Sequence, residues 1–140
     1  MALPIIQTPI GITLPIRNGK SGYFEQSYDT LTQVKSNIIN LLNTKPGERR
    51  MQPTFGNRLW SLVFENNADT LKDISVNIIR EDIAMWIPNV TVLDVTSNIY
   101  TSEQKSEATD MYRLQISVSF MLNMTKQRDN VSITIENITQ

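Results

Sequence analysis

The stretch Leu41-Leu42-Asn43-Thr44-Lys45-Pro46-Gly47-Glu48-Arg49-Arg50-Met51-Gln52-Pro53-Thr54-Phe55-Gly56, followed shortly by Phe64-Glu65, constrains the fold more than the rest of the chain together. A helix must stop before Lys45-Pro46-Gly47, because a residue that precedes proline avoids the helical region. A second helix starts just past Gly56, and two prolines and two glycines set the path between them. The result reads as a rigid charged corner between two helix ends. It holds no nucleophile beside a base, no metal cluster and no phosphate-cradling glycine loop, so it is an architectural joint before it is a reaction centre.

Elements on either side follow from the apolar periodicity. Pro4, Pro9 and Pro15 forbid a helix at the start, yet Ile5, Ile6, Ile10, Ile12, Leu14 and Ile16 are too apolar for a free linker. Residues 1–28 are therefore expected as an extended arm along the chain's own domain or a neighbour, bending at Arg17–Gly22. Asp29 or Ser27 can cap a helix over about 30–43, with Leu31, Val34, Ile38, Leu41 and Leu42 on one stripe. A short helix is expected over 57–65, with Leu59, Leu62 and Val63 or Phe64 inward. A third follows over 70–86, capped by Asp69, carrying Leu71, Ile74, Ile78, Ile79, Ile83 and Trp86 inward and ending at Pro88.

Beyond Pro88 the period changes to two. A first strand spans about 89–100, though its alternation assigns no clean buried face. After a polar hairpin loop over 101–110, a strand over 111–124 points Tyr112, Leu114, Ile116, Val118, Phe120, Leu122 and Met124 one way and Arg113, Gln115, Ser117 and Ser119 the other. Lys126–Asn130 turns into a third strand, 131–138, with Val131, Ile133 and Ile135 inward. Helices first and strands afterwards predict an α+β domain over 29–140, with a three-stranded, mainly antiparallel sheet packed on three helices.

Composition removes several functions. The chain has 140 residues with 40% hydrophobic and 19% charged, which suits one folded domain. A net charge of −1 supplies no footprint for a nucleic-acid backbone. With no histidine, the commonest metal ligand and the commonest general base are both missing, and with no cysteine there are no disulfides. No basic leader with an apolar core opens the sequence, and no apolar run approaches the ~18 residues of a membrane span. No metal or cofactor is expected.

The run T-K-P-G-E-R-R-M-Q-P-T-F-G at 44–56, with an apolar helix before it and L-W-S-L-V-F-E at 59–65 after it, resembles the baseplate wedge proteins of contractile phage tails, the gene-twenty-five-like family. Another branch of that family serves the baseplate of type VI secretion systems. The likeness runs from about Gly22 to Asp94 and weakens beyond. It implies a structural, non-enzymatic subunit in a virion's tail baseplate, assembled in the host cytoplasm in multiple copies around the tail. Other wedge subunits and the tail sheath protein are the implied partners, with no nucleic acid and no membrane. Where the family usually has an aromatic followed by Glu-Pro-Arg, this chain has Trp86-Ile87-Pro88-Asn89, so the charged wedge contact of the family is altered here.

Each candidate residue has a plain structural reading beside the functional one. Glu48, Arg49 and Arg50 can brace the corner internally or form a docking surface for another subunit. Pro53 and Phe55 can set the turn and plug the core, and Trp60, Phe64 and Trp86 at helical spacing read as core. Together Glu48, Arg49, Arg50, Pro53, Phe55, Trp86, Pro88 and Asn89 are the candidate wedge-docking set. A three-stranded sheet must leave two edges. Residues Ser117, Ser119, Val131, Ile133 and Ile135 are the candidates for pairing with a sheath strand, because the resemblance extends to a half-copy of the sheath's interlocking domain. Glu48, Glu65, Glu81, Asp82 and Asp94 are the carboxylates a muramidase would draw on, but Glu81 and Asp82 face about 100° apart on a helix and nothing marks a sugar-sized cleft.

Overall fold

The computed structural model describes residues 7–20, 22–62, 68–101 and 112–136. The expected inward Phe64, the loop over 102–110 and the strand end at 138 lie outside these residues. In chain order the elements are β1 (Gly11–Ile12), β2 (Gln26–Ser27), α1 (Thr30–Asn43), α2 (Leu59–Leu62), α3 (Ala68–Trp86), β3 (Val90–Thr101), β4 (Tyr112–Leu122) and β5 (Arg128–Glu136). β3, β4 and β5 form an antiparallel sheet in that order, with α3 packed over β3 and α1 over β5. The α+β expectation holds.

Alternation along β4 buries Leu114, Ile116, Val118, Phe120 and Leu122, while Ser117 and Ser119 point to the other face. Val131, Ile133 and Ile135 of β5 join them from one side. Val34, Ile38, Leu41 and Leu42 of α1 and Ile79 and Ile83 of α3 close the core from above. Burying a large apolar side chain stabilises by roughly 1.5–3 kcal/mol, so this layer supplies most of the driving force.

β3 has no single alternation because the register shifts between Val92 and Asp94. Val90 is buried before the bulge and Val95 after it, with Leu93 and Asp94 outside. An inserted residue reverses the phase of everything beyond it.

Four expectations on the sheet and α3 change. Met124 lies in the turn after β4 and is 89% exposed, so it is not part of the inward row. The turn occupies 123–127 rather than 126–130, because Arg128, Asp129 and Asn130 already pair with Met121, Phe120 and Ser119. α3 begins at Ala68, which puts Asp69 inside the first turn instead of at the cap; both positions favour an acidic residue. The inward face of α3 is rotated from the expected stripe: Ile74 is exposed, and Ser75 takes the buried position beside Ser97, their hydroxyl oxygens 3.1 Å apart.

The arm is not simply extended. β1 pairs antiparallel with β2, and the Glu25 N–H donates to the Arg17 carbonyl at 2.9 Å, closing the expected bend. The ribbon lies on α1 of its own chain, where the Leu14 N–H donates to Ser36 Oγ at 3.0 Å and the Ser27 hydroxyl bonds Gln33.

Asp29, one of the two expected caps, receives the Thr32 N–H on Oδ1 at 2.6 Å. Hydrogen bonds from the Thr32 side chain and then its backbone hold the Asp29 carboxyl below its ordinary 3.8. Because the folded-state value is the lower one, the stabilisation is present above that ordinary value and is lost as pH falls through the folded-state value. Asp29→Ala is expected to destabilise by about 1 kcal/mol at neutral pH. Urea unfolding of the two proteins at pH 7 and at pH 2.5 checks this, since the difference should shrink at the acidic end.

Candidate docking corner and sheet margin

The corner is a closed loop. α1 ends at Thr44, whose hydroxyl donates to the Asn40 carbonyl at 2.6 Å. At the base of the loop the Asn57 N–H donates to the Thr44 carbonyl at 2.9 Å, and halfway up the Gly47 N–H donates to the Pro53 carbonyl at 2.8 Å. Gly47 and Gly56 both have positive φ, 92° and 138°. Such a loop, with its ends joined and its own cross-bonds, moves as one piece.

Side chains fasten it to the rest of the molecule. Arg49 stacks on Phe55 with its guanidinium carbon 3.9 Å from the ring centroid, and Phe55 meets Trp86 edge-on at 5.1 Å. Lys45 Nζ sits 4.6 Å from the Trp60 ring, and Trp60 Nε1 donates to the Leu42 carbonyl at 3.1 Å, satisfying one of the free carbonyls at the end of α1. Trp60 and Trp86 are half-buried, so they bridge core and surface.

The ion pairs differ from the expected brace. Glu48 Oε2 accepts from the Lys45 N–H at 3.0 Å, and among the described residues neither Arg49 nor Arg50 pairs with a carboxylate. The brace is made instead by Arg58. Its Nε donates to Asp82 Oδ1 at 2.8 Å, its backbone N–H to Asp82 Oδ2 at 3.1 Å, and its Nη2 to Glu81 Oε2 at 2.8 Å. Hydrogen bonds donated to Glu81 and then to Asp82, with the charge of Asp82, push the Arg58 guanidinium further up from its ordinary value. Sequence reading missed this pair, although a signal was present: Asp82 falls between Ile79 and Ile83 on the buried stripe, and a carboxylate there needs a cation.

Arg49, Phe55 and Trp86 therefore form one stack, with Glu48, Arg50 and Pro53 exposed on the same loop. Pro88 and Asn89 are exposed in the turn that follows Trp86, where the Asn123 N–H donates to the Asn89 carbonyl at 3.0 Å. Ile87 packs against the core. Where the resemblance implies a glutamate, this chain therefore has an apolar side chain packed against the core, and the cations on the corner loop itself are Lys45, Arg49 and Arg50.

The sheet sorts the strand-pairing candidates. β4 is central, and Ser117 and Ser119 each have a partner on both sides, Thr96 and Ser132 for the first, Asp94 and Asn130 for the second. They lie on no edge, so their backbones are not available to an incoming strand. Val131, Ile133 and Ile135 lie on β5, an outer strand. Leu122 N–H donates to the Gln127 carbonyl at 2.9 Å, and alternation from that pair directs the odd-numbered residues of β5 to β4. The even-numbered Arg128, Asn130, Ser132 and Thr134 face outward. In keeping with this, the Asn130 N–H is met by its neighbour Asp129 Oδ1 at 2.8 Å rather than by β4. Val131, Ile133 and Ile135 thus anchor the strand, and Ser132 and Thr134 carry its margin.

Comparison with known proteins agrees with the geometry. No curated protein sequence matches the chain. Among solved structures, a Geobacter sulfurreducens protein provisionally described as a tail lysozyme superimposes with a TM-score of 0.62 at 25% identity, covering 76% of this chain and 90% of that one. A chain of the anti-feeding prophage baseplate gives 0.59 at 24% identity, covering 80% and 83%. A chain of the type VI secretion baseplate complex gives 0.55 at 12% identity, covering 78% and 94%. The profile of the baseplate wedge protein gp25 family matches residues 29–127. That span holds α1, the closed loop, the Arg58 brace, β3, β4 and the turn up to the start of β5, and the chain belongs to the baseplate wedge protein gp25 family, structural components of contractile injection systems.

Proposed function

We propose that this chain is a non-enzymatic wedge subunit that docks other baseplate subunits through its corner and offers the margin of β5 to the tail sheath protein. Several copies around the tail would then set the symmetry of the first sheath ring. The proposed setting is the tail baseplate of a phage virion, assembled in the host cytoplasm, which the Asn- and Thr-rich composition favours over a secretion system.

The observation that carries this reading is the contrast between the two outer strands. β3 is interrupted by its bulge, a device that protects an edge from pairing. β5 runs without a register break from Arg128 to Glu136, and the middle of its outward row, Asn130, Ser132 and Thr134, is uncharged, with Arg128 at its start. Backbone bonds along such a margin give register, and alternate side chains select the partner. The corner supports the other half of the proposal: Arg50 is exposed on a loop held from both ends, so a partner carboxylate meets a cation carried by a preformed backbone.

A lysozyme-like reading comes from the Geobacter neighbour. Two of the five candidate carboxylates speak against it, because Glu81 and both oxygens of Asp82 are engaged by Arg58. A glycosidase needs a carboxylic acid and a second carboxylate both open to one sugar.

Two substitutions separate the proposed contacts. Ser132→Pro removes an outward N–H and leaves the β4–β5 ladder intact, whereas a proline at Ile133 would break that ladder and the fold with it. Ser132→Pro is expected to permit wedge assembly and stop sheath polymerisation, and Arg50→Ala to weaken wedge assembly. Electron microscopy of particles made with each variant checks both outcomes. Loss of every partner by both variants would assign the defect to misfolding and end the proposed division.

A further inference from the structure

β5 opens its margin at every second residue, because the backbones of Arg128, Asn130, Ser132, Thr134 and Glu136 alternate with those that bond β4. One of these positions is already taken. The Asn130 N–H donates to Asp129 Oδ1 at 2.8 Å, so a carboxylate stands where an incoming carbonyl would have to come. Among the described residues no side chain meets the N–H of Ser132 or Thr134 in this way.

The same carboxylate is held from outside the sheet. Asp129 Oδ2 receives Lys35 Nζ at 3.0 Å, and Lys35 lies on α1 between Val34 and Ser36, both buried. Asp129 opens the inward row that continues with the buried Val131, Ile133 and Ile135, and it pairs with the fully buried Phe120. Inward-pointing charge and exposed charge on the strand are two ways in which natural sheets blunt an edge. Asp129 supplies the first and the exposed Arg128 the second, at the same end of β5. An ion pair whose side chains are 39% and 30% exposed contributes little to stability, so its position is what matters.

Asn130, Ser132 and Thr134 are uncharged and chemically alike, so their side chains alone would let an incoming strand slip by two residues. A slip towards Arg128 brings a carbonyl against the Asp129 carboxylate, acceptor against acceptor, and that carbonyl loses its donor. We propose that Asp129, held by Lys35, is a register stop for strand addition to β5: the arriving strand of the sheath protein pairs from Ser132 onward and not at Asn130. This deepens the reading of β5 as the sheath-docking margin and rests on it. Because β5 ends at Glu136, the paired segment is short, about five residues.

The chain contains no cysteine, so a single introduced one can report position. Thr134→Cys in assembled particles, oxidised against cysteines scanned one at a time through the sheath protein, is expected to form a disulfide at one sheath position. A two-residue slip displaces the facing residue by about 6.5 Å, too far for the same pair to join. Adding Asp129→Ala is expected to keep that crosslink and to create a second, two sheath residues away, at comparable yield. Lys35→Met, which leaves the carboxylate without its anchor, should create the same second crosslink in smaller amount. Persistence of the first crosslink shows in each case that β5 is folded. One unchanged position in both variants overturns the register stop and leaves the docking role of β5 standing. No disulfide to any sheath position ends the docking reading, and the register stop with it. Hydrogen exchange of the Asn130 amide, followed by NMR in the free full chain, provides a second readout. Asp129→Ala is expected to speed it roughly fivefold after correction for intrinsic rates, as for loss of one exposed hydrogen bond. An unchanged rate would mean that the carboxylate does not hold this N–H, and would overturn the proposal.

Discussion

Gly56→Ala lowers the stability of the chain by about 3 kcal/mol, combining the cost of a strained backbone with that of an overpacked site. Gly56 has a φ of 138°, which side chains rarely allow. A Cβ there would lie 2.7 Å from the Thr44 carbonyl oxygen, 2.8 Å from Pro46 N and 2.9 Å from the Lys45 carbonyl carbon. All three atoms are backbone, and none can rotate away. The Thr44 carbonyl is also the acceptor for Asn57 N–H at the base of the loop, so relief of the clash opens the loop. Gly47 supplies the control. It too has a positive φ, 92°, but a Cβ there meets nothing within 4 Å, so Gly47→Ala should cost only about 1 kcal/mol. Urea denaturation followed by the fluorescence of Trp60 and Trp86 measures both. Equal losses at the two glycines would show that close packing at Gly56 contributes nothing.

The same contrast shows what was legible in the sequence. Periodicity identified α1, the row from Leu114 to Leu122 and the α+β order, because an apolar residue at the right spacing has one physical use. The Lys45-Pro46-Gly47 punctuation placed the end of α1 correctly, because a proline restricts its neighbour wherever it occurs. Long-range choices were less visible. The bulge at Leu93 leaves no mark except a broken alternation. Arg49 and Arg50 read as an internal brace or as a docking surface, while the cation that braces this region is Arg58, which lies beside two acids only after α3 has packed. The arm's pairing with itself depends on a register between Gly11 and Ser27 that neither short strand declares alone. Alternation puts Ser117 and Ser119 on the polar face and makes them strand-pairing candidates, but the order β3-β4-β5, which alternation does not encode, leaves their strand no free margin.

Asp82→Ala should cost about 2–3 kcal/mol, less than the 3–5 kcal/mol of breaking a fully buried pair because Arg58 is half in solvent. Asp82 is 3% exposed, and it binds both the side chain and the backbone N–H of Arg58, where α2 begins. Removing the carboxylate leaves that N–H without its acceptor and frees the segment that carries Trp60, whose Nε1 holds the end of α1. Glu81→Ala removes a contact between two exposed groups and should cost less than about 0.5 kcal/mol. Asp82→Leu distinguishes the brace from mere volume. It fills the same space and keeps α3 helical, but supplies no acceptor, so it should remain destabilised like the alanine variant, and its particles should incorporate less wedge subunit than those of Glu81→Ala. If Asp82→Leu instead matched the parent in urea unfolding and in incorporation, apolar packing alone would hold the corner on α3, and Arg58 would be a surface charge with no part in positioning it.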